Sequence, residues 1–150
     1  MSQTDLLVEI NAVNVIPADK GVRFLNYIID IIGYYLLTIL LGAILGILAP
    51  KFILSLSTDS STFTLFSYVF AYVIFWLYYA ILEGLTKGKT LGKLITKTRA
   101  VKLDGSPITW SDALQRALVR IVPFEPFSGL GTSLWHDKWT NTIVIKEMKM

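Results

Sequence analysis

The chain contains no cysteine and only one histidine, His136. Without cysteine it can form no disulfide, and it offers neither a thiolate metal site nor a thiol nucleophile. A single histidine excludes a histidine-rich metal site, and no nucleophile stands at a recognisable spacing from a base. We therefore expect no metal, no cofactor and no enzymatic activity.

Charged residues are scarce in this chain. They make up 17% of the 150 residues, whereas hydrophobic residues make up 53% and the mean hydropathy is +0.57. Nearly half of the apolar residues fall in two long runs, a distribution typical of an integral membrane protein. We interpret residues 1–150 as one membrane domain that has the lipid bilayer as a partner. The net charge of +3 is too small to indicate nucleic acid.

The first apolar run covers about residues 24–49 and directly follows Arg23. Its 26 residues would form a helix of about 39 Å, which exceeds the roughly 30 Å hydrocarbon core of a bilayer. Acidic residues precede the run, and it is too long for the apolar region of a cleavable signal peptide. The run therefore predicts a permanent transmembrane helix.

The second apolar run covers about residues 63–82 and contains no charged residue. It is long enough to cross a bilayer once, and a polar linker at 55–62 precedes it. The outer flanks of the two runs are rich in lysine and arginine, whereas the loop between the runs holds only Lys51. By the positive-inside rule we expect a multi-pass protein of the inner (cytoplasmic) membrane with both termini in the cytoplasm.

Residues 84–150 are predicted to form a small cytoplasmic part. It starts with a basic loop at 84–92, and the β-rich stretches 95–103 and 108–109 flank a turn at 104–107, which predicts a β-hairpin. The segment TNTIVIK at 140–146 predicts a strand that pairs with this hairpin.

An amphipathic helix is predicted to follow the hairpin. Thr109 and Asp112 have the spacing of a capping box. The apolar face that follows consists of Ala113, Leu114, Ala117, Leu118 and Ile121. Two placements remain open, on the inner membrane surface or packed on the hairpin. Prolines and glycines argue against a third span within 121–135, but a short re-entrant piece there stays open.

One face of each predicted span is polar or aromatic. At about 100° per residue, the first span carries a stripe of Arg23, Asn26, Tyr27, Asp30 and Tyr34. We expect the two antiparallel helices to join this stripe to a second one. The second stripe consists of Tyr68, Tyr72, Trp76, Tyr79 and Glu83.

The ionisable residues of these stripes are expected at one boundary of the membrane. Counting about 30 Å back from Ala49 places Asp30 at the inner edge of the hydrocarbon, and Glu83 falls at the same level. One interpretation is a structural network of arginine–carboxylate pairs that ties the spans to the cytoplasmic part. The other is a proton or cation site at a carboxylate that stays unpaired.

Gly42 and Gly46 form a small-xxx-small pattern on another face of the first span. Such glycines let two helices approach closely in a membrane. Self-association of the chain and packing against the second span are both consistent with the pattern.

Several ordered motifs together resemble the RDD family: RFLNYIID, EGLTKGKTLGK, AVKLDGSPIT, ALQRALVR and WHDKWTNTIVI. The resemblance runs from about residue 22 to 145 and maps the family's arginine and two aspartates onto Arg23, Asp30 and Asp137. It implies a small multi-span inner-membrane protein of a mostly bacterial family whose activity is mostly unknown, with transport, including sodium/proton exchange, suggested for some members. The family's third span is replaced here by the short segment IVPFEPFSGLGTSL.

The sequence therefore predicts an all-α membrane protein with two transmembrane helices, a small cytoplasmic β-hairpin and strand, and an interfacial amphipathic helix. We expect an accessory or transport-related role in a homo-oligomer or with another membrane protein. The alternatives are an oligomeric ion transporter for small cations or protons, and a structural scaffold or assembly factor. The predicted polar cluster comprises Arg23, Asp30, Glu83 and Asp137, supported by Asn26, Tyr27, Tyr79, Arg116 and Arg120.

Overall fold

The computed structural model describes residues 17–122 and 134–147. The described chain is mostly helical, with two strands in one small sheet. The question of membrane re-entry at 121–135 falls largely on 123–133, which lie outside the described residues. The elements in chain order are α1 (Lys20–Leu48), α2 (Pro50–Ser57), α3 (Ser60–Leu85), α4 (Leu91–Thr96), β1 (Thr98–Lys102), α5 (Trp110–Val119), α6 (Trp135–Trp139) and β2 (Thr142–Lys146).

The two expected long helices are present as α1 and α3. Each is long and apolar enough to cross a membrane. Asp19 and Asp59 cap their first turns by accepting hydrogen bonds from backbone amides. Because of these caps, each helix begins about one turn ahead of its apolar run.

The linker predicted at 55–62 is largely helical, because most of its first half belongs to α2. Its hydroxyl groups bond back to carbonyls of the same helix, as when Ser55 Oγ donates to Phe52 O at 2.8 Å. The Phe52 ring also packs edge-on against Phe66 of α3, with ring centroids 5.7 Å apart. Polar composition alone predicted a loop, but local hydrogen bonds and this aromatic contact stabilise a helix.

The sheet joins β1 to β2 in antiparallel register, from Thr98 opposite Lys146 to Lys102 opposite Thr142. The C-terminal strand and its pairing are therefore as expected. The hairpin is not. Residues 91–96 form α4, and the expected second arm makes only an isolated bridge between Val101 and Pro107.

Two local features explain the missing second arm. Ile108 is buried with Ala100, Ala113 and Val144 in a small apolar core, so its side chain fills the interior beside the sheet. Thr109 caps α5 in a capping box with Asp112, as the sequence predicts. Residues that would extend the strand are thus used to start a helix.

α5 packs against α3 and against the sheet, but only part of its predicted apolar face is buried there. Ala113, Arg116 and Ala117 face inward, whereas Leu114 and Leu118, expected on the same apolar face, are exposed. Trp110 lies over Gly84 of α3 so closely that a Cβ on that glycine would meet its ring at 2.3 Å. The arginine among the inward-facing residues makes this face polar as well as apolar.

Gly42 and Gly46 do not pack against α3. A Cβ built on either glycine would meet no described atom within 4 Å. The small-residue face of α1 is therefore open in the described chain.

The interior of the described chain is unusually polar. Its buried positions hold eleven apolar and ten polar or charged side chains. In contrast, many large apolar side chains of α1 and α3 are exposed. The buried polar residues are Asn26, Asp30, Glu83, Thr90, Lys93, Thr98, Arg116, His136, Asp137 and Thr142.

Candidate functional site

Asp30 is buried in α1 with 2% of its surface exposed. Its carboxylate accepts hydrogen bonds from Thr90 Oγ1 at 2.6 Å, from the Gly92 amide at 2.7 Å and from Tyr78 Oη at 3.5 Å. All three donors are neutral. Within the described residues, no lysine or arginine forms an ion pair with Asp30.

Two residues of the segment KTLGK place α4 against Asp30. Thr90 is the N-cap of α4 and accepts a hydrogen bond from the Lys93 amide. Gly92 lies so close to α1 that an added Cβ would be 2.3 Å from the Asn26 carbonyl oxygen. Only glycine lets the first turn of α4 approach α1 at this distance.

Asn26 holds the far end of α4 and the start of β1. Its Nδ2 donates to Thr98 Oγ1 at 3.0 Å, and its Oδ1 accepts from Thr96 Oγ1 at 2.5 Å. Tyr27, next to it in α1, is partly buried. The polar stripe of α1 therefore meets the α4–β1 segment as well as α3.

Glu83 is fully buried in α3 and contacts three cations. Lys93 Nζ lies 2.6 Å from Glu83 Oε1, and Arg116 Nε lies 2.7 Å from Oε2. Arg120 Nη2 adds a third contact at 3.0 Å to Oε1. Lys93 belongs to α4, Arg116 to α5, and Arg120 is the C-cap of α5, so this one carboxylate joins α3 to both α4 and α5.

Asp137 of α6 extends these contacts to the start of α1. Arg116 Nη1 lies 2.7 Å from Asp137 Oδ1, and Arg23 Nη1 lies 3.4 Å from Oδ2. Arg23 also donates to the Ala18 and Val144 carbonyls at 3.1 and 3.3 Å. We call the following set the buried charge network: Arg23, Glu83, Lys93, Arg116, Arg120 and Asp137.

The pKa values of the network cations outside the long helices differ in direction. Burial lowers the pKa of Lys93 to about 8, although the contact with Glu83 opposes this shift. Burial also acts against the charged form of Arg116, but Glu83 and Asp137 outweigh it and hold that pKa above its usual value. Lys93 is therefore the cation of this pair that titrates in an accessible pH range.

His136 lies beside the network, with Nε2 3.4 Å from Asp137 Oδ1. Burial, together with the nearby arginines and Lys93, lowers the pKa of His136 well below its usual value. The imidazole is therefore neutral near pH 7. In the described parts of the chain, no group of three or more histidine, aspartate or glutamate residues could hold a metal ion.

Tyr79 supports the network from α3. The Arg120 guanidinium lies over its ring, 4.4 Å from the centroid, a distance at which cation–π attraction operates. The rest of the stripe predicted on α3 is partly wrong, because Tyr68 and Tyr72 are 64% and 55% exposed. Tyr34 of α1 instead donates to the Ala71 carbonyl at 3.0 Å, so the face of α3 toward α1 is rotated by about one residue.

The structure brings three of the four predicted cluster residues into one network. Arg23, Asp137 and Glu83 are joined through Arg116. Asp30 stands apart with neutral donors. Sequence reasoning missed Tyr78, Thr90, Gly92, Lys93 and Thr98 as site residues, although a threonine followed by glycine and lysine after a long apolar helix was a usable signal of a capped turn.

Comparison with known proteins supplies one match. No curated protein and no solved structure is significantly similar to the chain. The sequence model of the RDD family matches residues 17–144 and so covers most of the 150 residues, including both long helices, the buried charge network and Asp30. The chain therefore belongs to the RDD family.

Proposed function

We propose that this chain is an accessory or assembly protein of the inner membrane. In this proposal α1 and α3 cross the bilayer, both termini lie in the cytoplasm, and the chain acts with another membrane protein or with further copies of itself. The lysine and arginine residues outside the two apolar runs support this orientation.

The observation that carries the proposal is where the charges lie. The chain has no Asp, Glu, Lys or Arg between Asp30 and Lys51, and none between Asp59 and Glu83. Transporters hold their substrate near the middle of the membrane, and ionisable groups mark such pathways. Here the charges gather at one end of the helices, and the buried charge network uses them to join segments of the chain.

The apolar surface supports membrane location. Ile39 and Ile47 of α1 and Leu65 of α3 are 66%, 77% and 65% exposed. Leaving apolar surface in water costs about 25 cal/mol per Å², so a continuous surface of this kind is stable only in contact with lipid or protein.

The open glycine face supports association with another helix. Two helices cannot enclose a pathway, and nothing in the described chain covers Gly42 and Gly46. Without side chains at these positions, a second membrane helix can approach the backbone of α1 closely.

The test is purification from native membranes in a mild detergent, followed by mass measurement of the intact complex. We expect the wild-type chain to carry a partner or a second copy, and the double variant Gly42→Leu, Gly46→Leu to lose it. Ala43→Leu places a bulky leucine on a neighbouring, exposed face and serves as the control. Recovery of the wild-type chain as a lone monomer would contradict the proposal.

Asp30 favours a second candidate function, the movement of small cations or protons by an oligomer. It is buried and has no ion-pair partner among the residues that the structure describes, and such a carboxylate can exchange a proton or a cation. Purified protein in liposomes would then move sodium or protons, Asp30→Asn would abolish the flux, and Asp59→Asn at the opposite end of α3 would retain it. Flux no greater than in empty vesicles would reject this function.

A further inference from the structure

α4 lies beside α1 at the level where the apolar part of that helix begins. A Cβ on Gly92 would be 2.3 Å from the Asn26 carbonyl oxygen, and a Cβ on Gly33 would be 2.8 Å from Leu91 Cδ1. The first turn of α4 thus spans the stretch of α1 from Asn26 to Gly33. Leu91 is level with Gly33, on the apolar side of Asp30.

The length of α1 gives the depth of this position in the proposed membrane. From Asp30 to Leu48 the helix rises about 27 Å, so a hydrocarbon core of about 30 Å that ends at Leu48 begins about two residues before Asp30. The tip of the Leu91 side chain, beside Gly33, then lies about 7 Å inside the hydrocarbon, whereas Thr96, which bonds to Asn26, places the other end of α4 close to the boundary. This depth depends on the membrane location proposed above.

α4 also carries an apolar surface that the rest of the described chain leaves uncovered. Leu91, Leu94 and Ile95 are 39%, 47% and 66% exposed. Their spacing of three and four residues places them on one face of the helix. We call these three residues the α4 patch.

The part of α1 at this level is also apolar. At the same level α1 exposes Leu25, Ile28 and Ile32, by 49%, 38% and 55%. If lipid covers α1 there, the same leaflet lies at the depth of Leu91.

The sequence around the patch is basic, although four of its basic residues pair with acidic residues of other segments. No acidic residue occurs between Glu83 and Asp104, whereas this stretch has six basic residues. Lys87 and Lys97 are exposed and, within the described residues, have no acidic partner. Long lysine side chains of this kind extend from an apolar surface to anionic phosphate groups.

We propose that α4 is inserted in one leaflet of the membrane. The α4 patch contacts the acyl chains, and Lys87 and Lys97 lie among the phosphates of anionic phospholipids. The stretch predicted as a cytoplasmic loop and strand is in this account a membrane-embedded wedge. Because Thr90 and Gly92 bind Asp30 from this same wedge, lipid contact helps to keep water away from Asp30.

The absence of cysteine makes a direct test simple, since each single-cysteine variant takes one nitroxide label. The variant Ile95→Cys is labelled and placed in nanodiscs of phosphatidylcholine and phosphatidylglycerol. Collisions with oxygen, which concentrates in lipid, are compared with collisions with a water-soluble nickel chelate. Ile39→Cys reports the middle of α1, and Asp104→Cys reports the exposed turn after β1.

We expect the oxygen-to-nickel ratio at Ile95 to lie below that at Ile39, which is deeper in the bilayer, and to exceed that at Asp104 severalfold. If Ile95 matches Asp104 while Ile39 reports lipid, the wedge is rejected and the proposed spans stand. If Ile39 also reports water, the membrane location itself fails, and the wedge fails with it. A label at Ile95 that neither reagent reaches would show that protein covers the patch, which also overturns the proposal.

Leu94→Cys provides a second label on the same face. It is used with the same expectation, and it carries the test if the Ile95 variant fails to elute as the folded protein. Because both side chains are about half exposed or more, labelling should leave the thermal midpoint of the protein unchanged.

Discussion

The two halves of the long helices differ in what surrounds them. Toward α2, the helices α1 and α3 expose large apolar side chains and have no charged residue. Toward α4 and α5, the same helices bury Asp30 and Glu83 among polar groups of the later segments. The apolar half is stable only in apolar surroundings, whereas the polar half is stabilised by contacts between particular side chains. Substitutions should therefore have small effects in the first region and large effects in the second.

The largest effect is expected for Arg116→Leu. Arg116 is fully buried between Glu83 and Asp137, so its removal leaves two buried carboxylates without their main partner. Breaking such a pair costs about 3–5 kcal/mol, which a lowered thermal midpoint in detergent would report. The matched change in the apolar half, Ile39→Ala, should stay within about 0.5 kcal/mol. Equal thermal midpoints for the two variants would contradict the expected difference between the two halves of the helices.

Lys93 makes the polar half sensitive to pH. Its pKa is about 8 in the folded chain, against 10.5 for an ordinary lysine. Between these values the unfolded chain binds more protons than the folded one, so stability rises as the pH increases from about 8 to 10.5.

Thermal midpoints across this pH window test the assignment. Lys93→Met removes the ionisable group and keeps a side chain of similar length, so it should lack this rise. An equal rise in wild type and variant would assign the pH dependence to another group.

Gly92→Ala should be more harmful than Gly42→Ala, although both glycines lie in helices. At Gly92 the added Cβ would collide with the backbone of Asn26, whereas at Gly42 it enters open space. Overpacking costs about 1–3 kcal/mol, while alanine at Gly42, in the chain separated from its proposed partner helix, gains about 0.5–1 kcal/mol. Chemical denaturation of both variants measures the difference, and a stabilising Gly92→Ala would mean that α4 does not contact α1 this closely.

The smallest effect is expected at the start of α5. Thr109→Ala removes the capping box with Asp112, and the loss of an N-cap costs about 1 kcal/mol. Ser111→Ala, in the first turn of the same exposed face, is the control. If both variants denature at the same point, the cap does not contribute to the position of α5 against α3.

Parts of the fold could be predicted because they depend on neighbouring residues only. The two long helices follow from unbroken apolar runs, α5 from its capping box, and β2 from its run of β-branched residues. α4 was missed because its first turn is stabilised by Asp30, about sixty residues earlier. The expected second arm of the hairpin failed for a similar reason, since Ile108 is buried against Ala113 and the sheet.

The candidate site was predicted in its residue types but not in its partners. Helical periodicity placed Asn26, Asp30 and Tyr34 correctly on the buried face of α1. It could not show that Arg116 stands between Glu83 and Asp137, because those contacts join segments 33 and 21 residues apart. Periodicity also could not show that Asp30 lies outside the buried charge network.

Residue order alone establishes two long apolar helices, a concentration of charge at one end and membership of the RDD family, because each of these depends on local composition and pattern. Which carboxylate meets which cation is settled only when the chain folds, because α4, α5 and α6 converge on the same helix ends from distant positions. Burial then makes each pairing matter, since an ion that loses its partner there has no water to replace it.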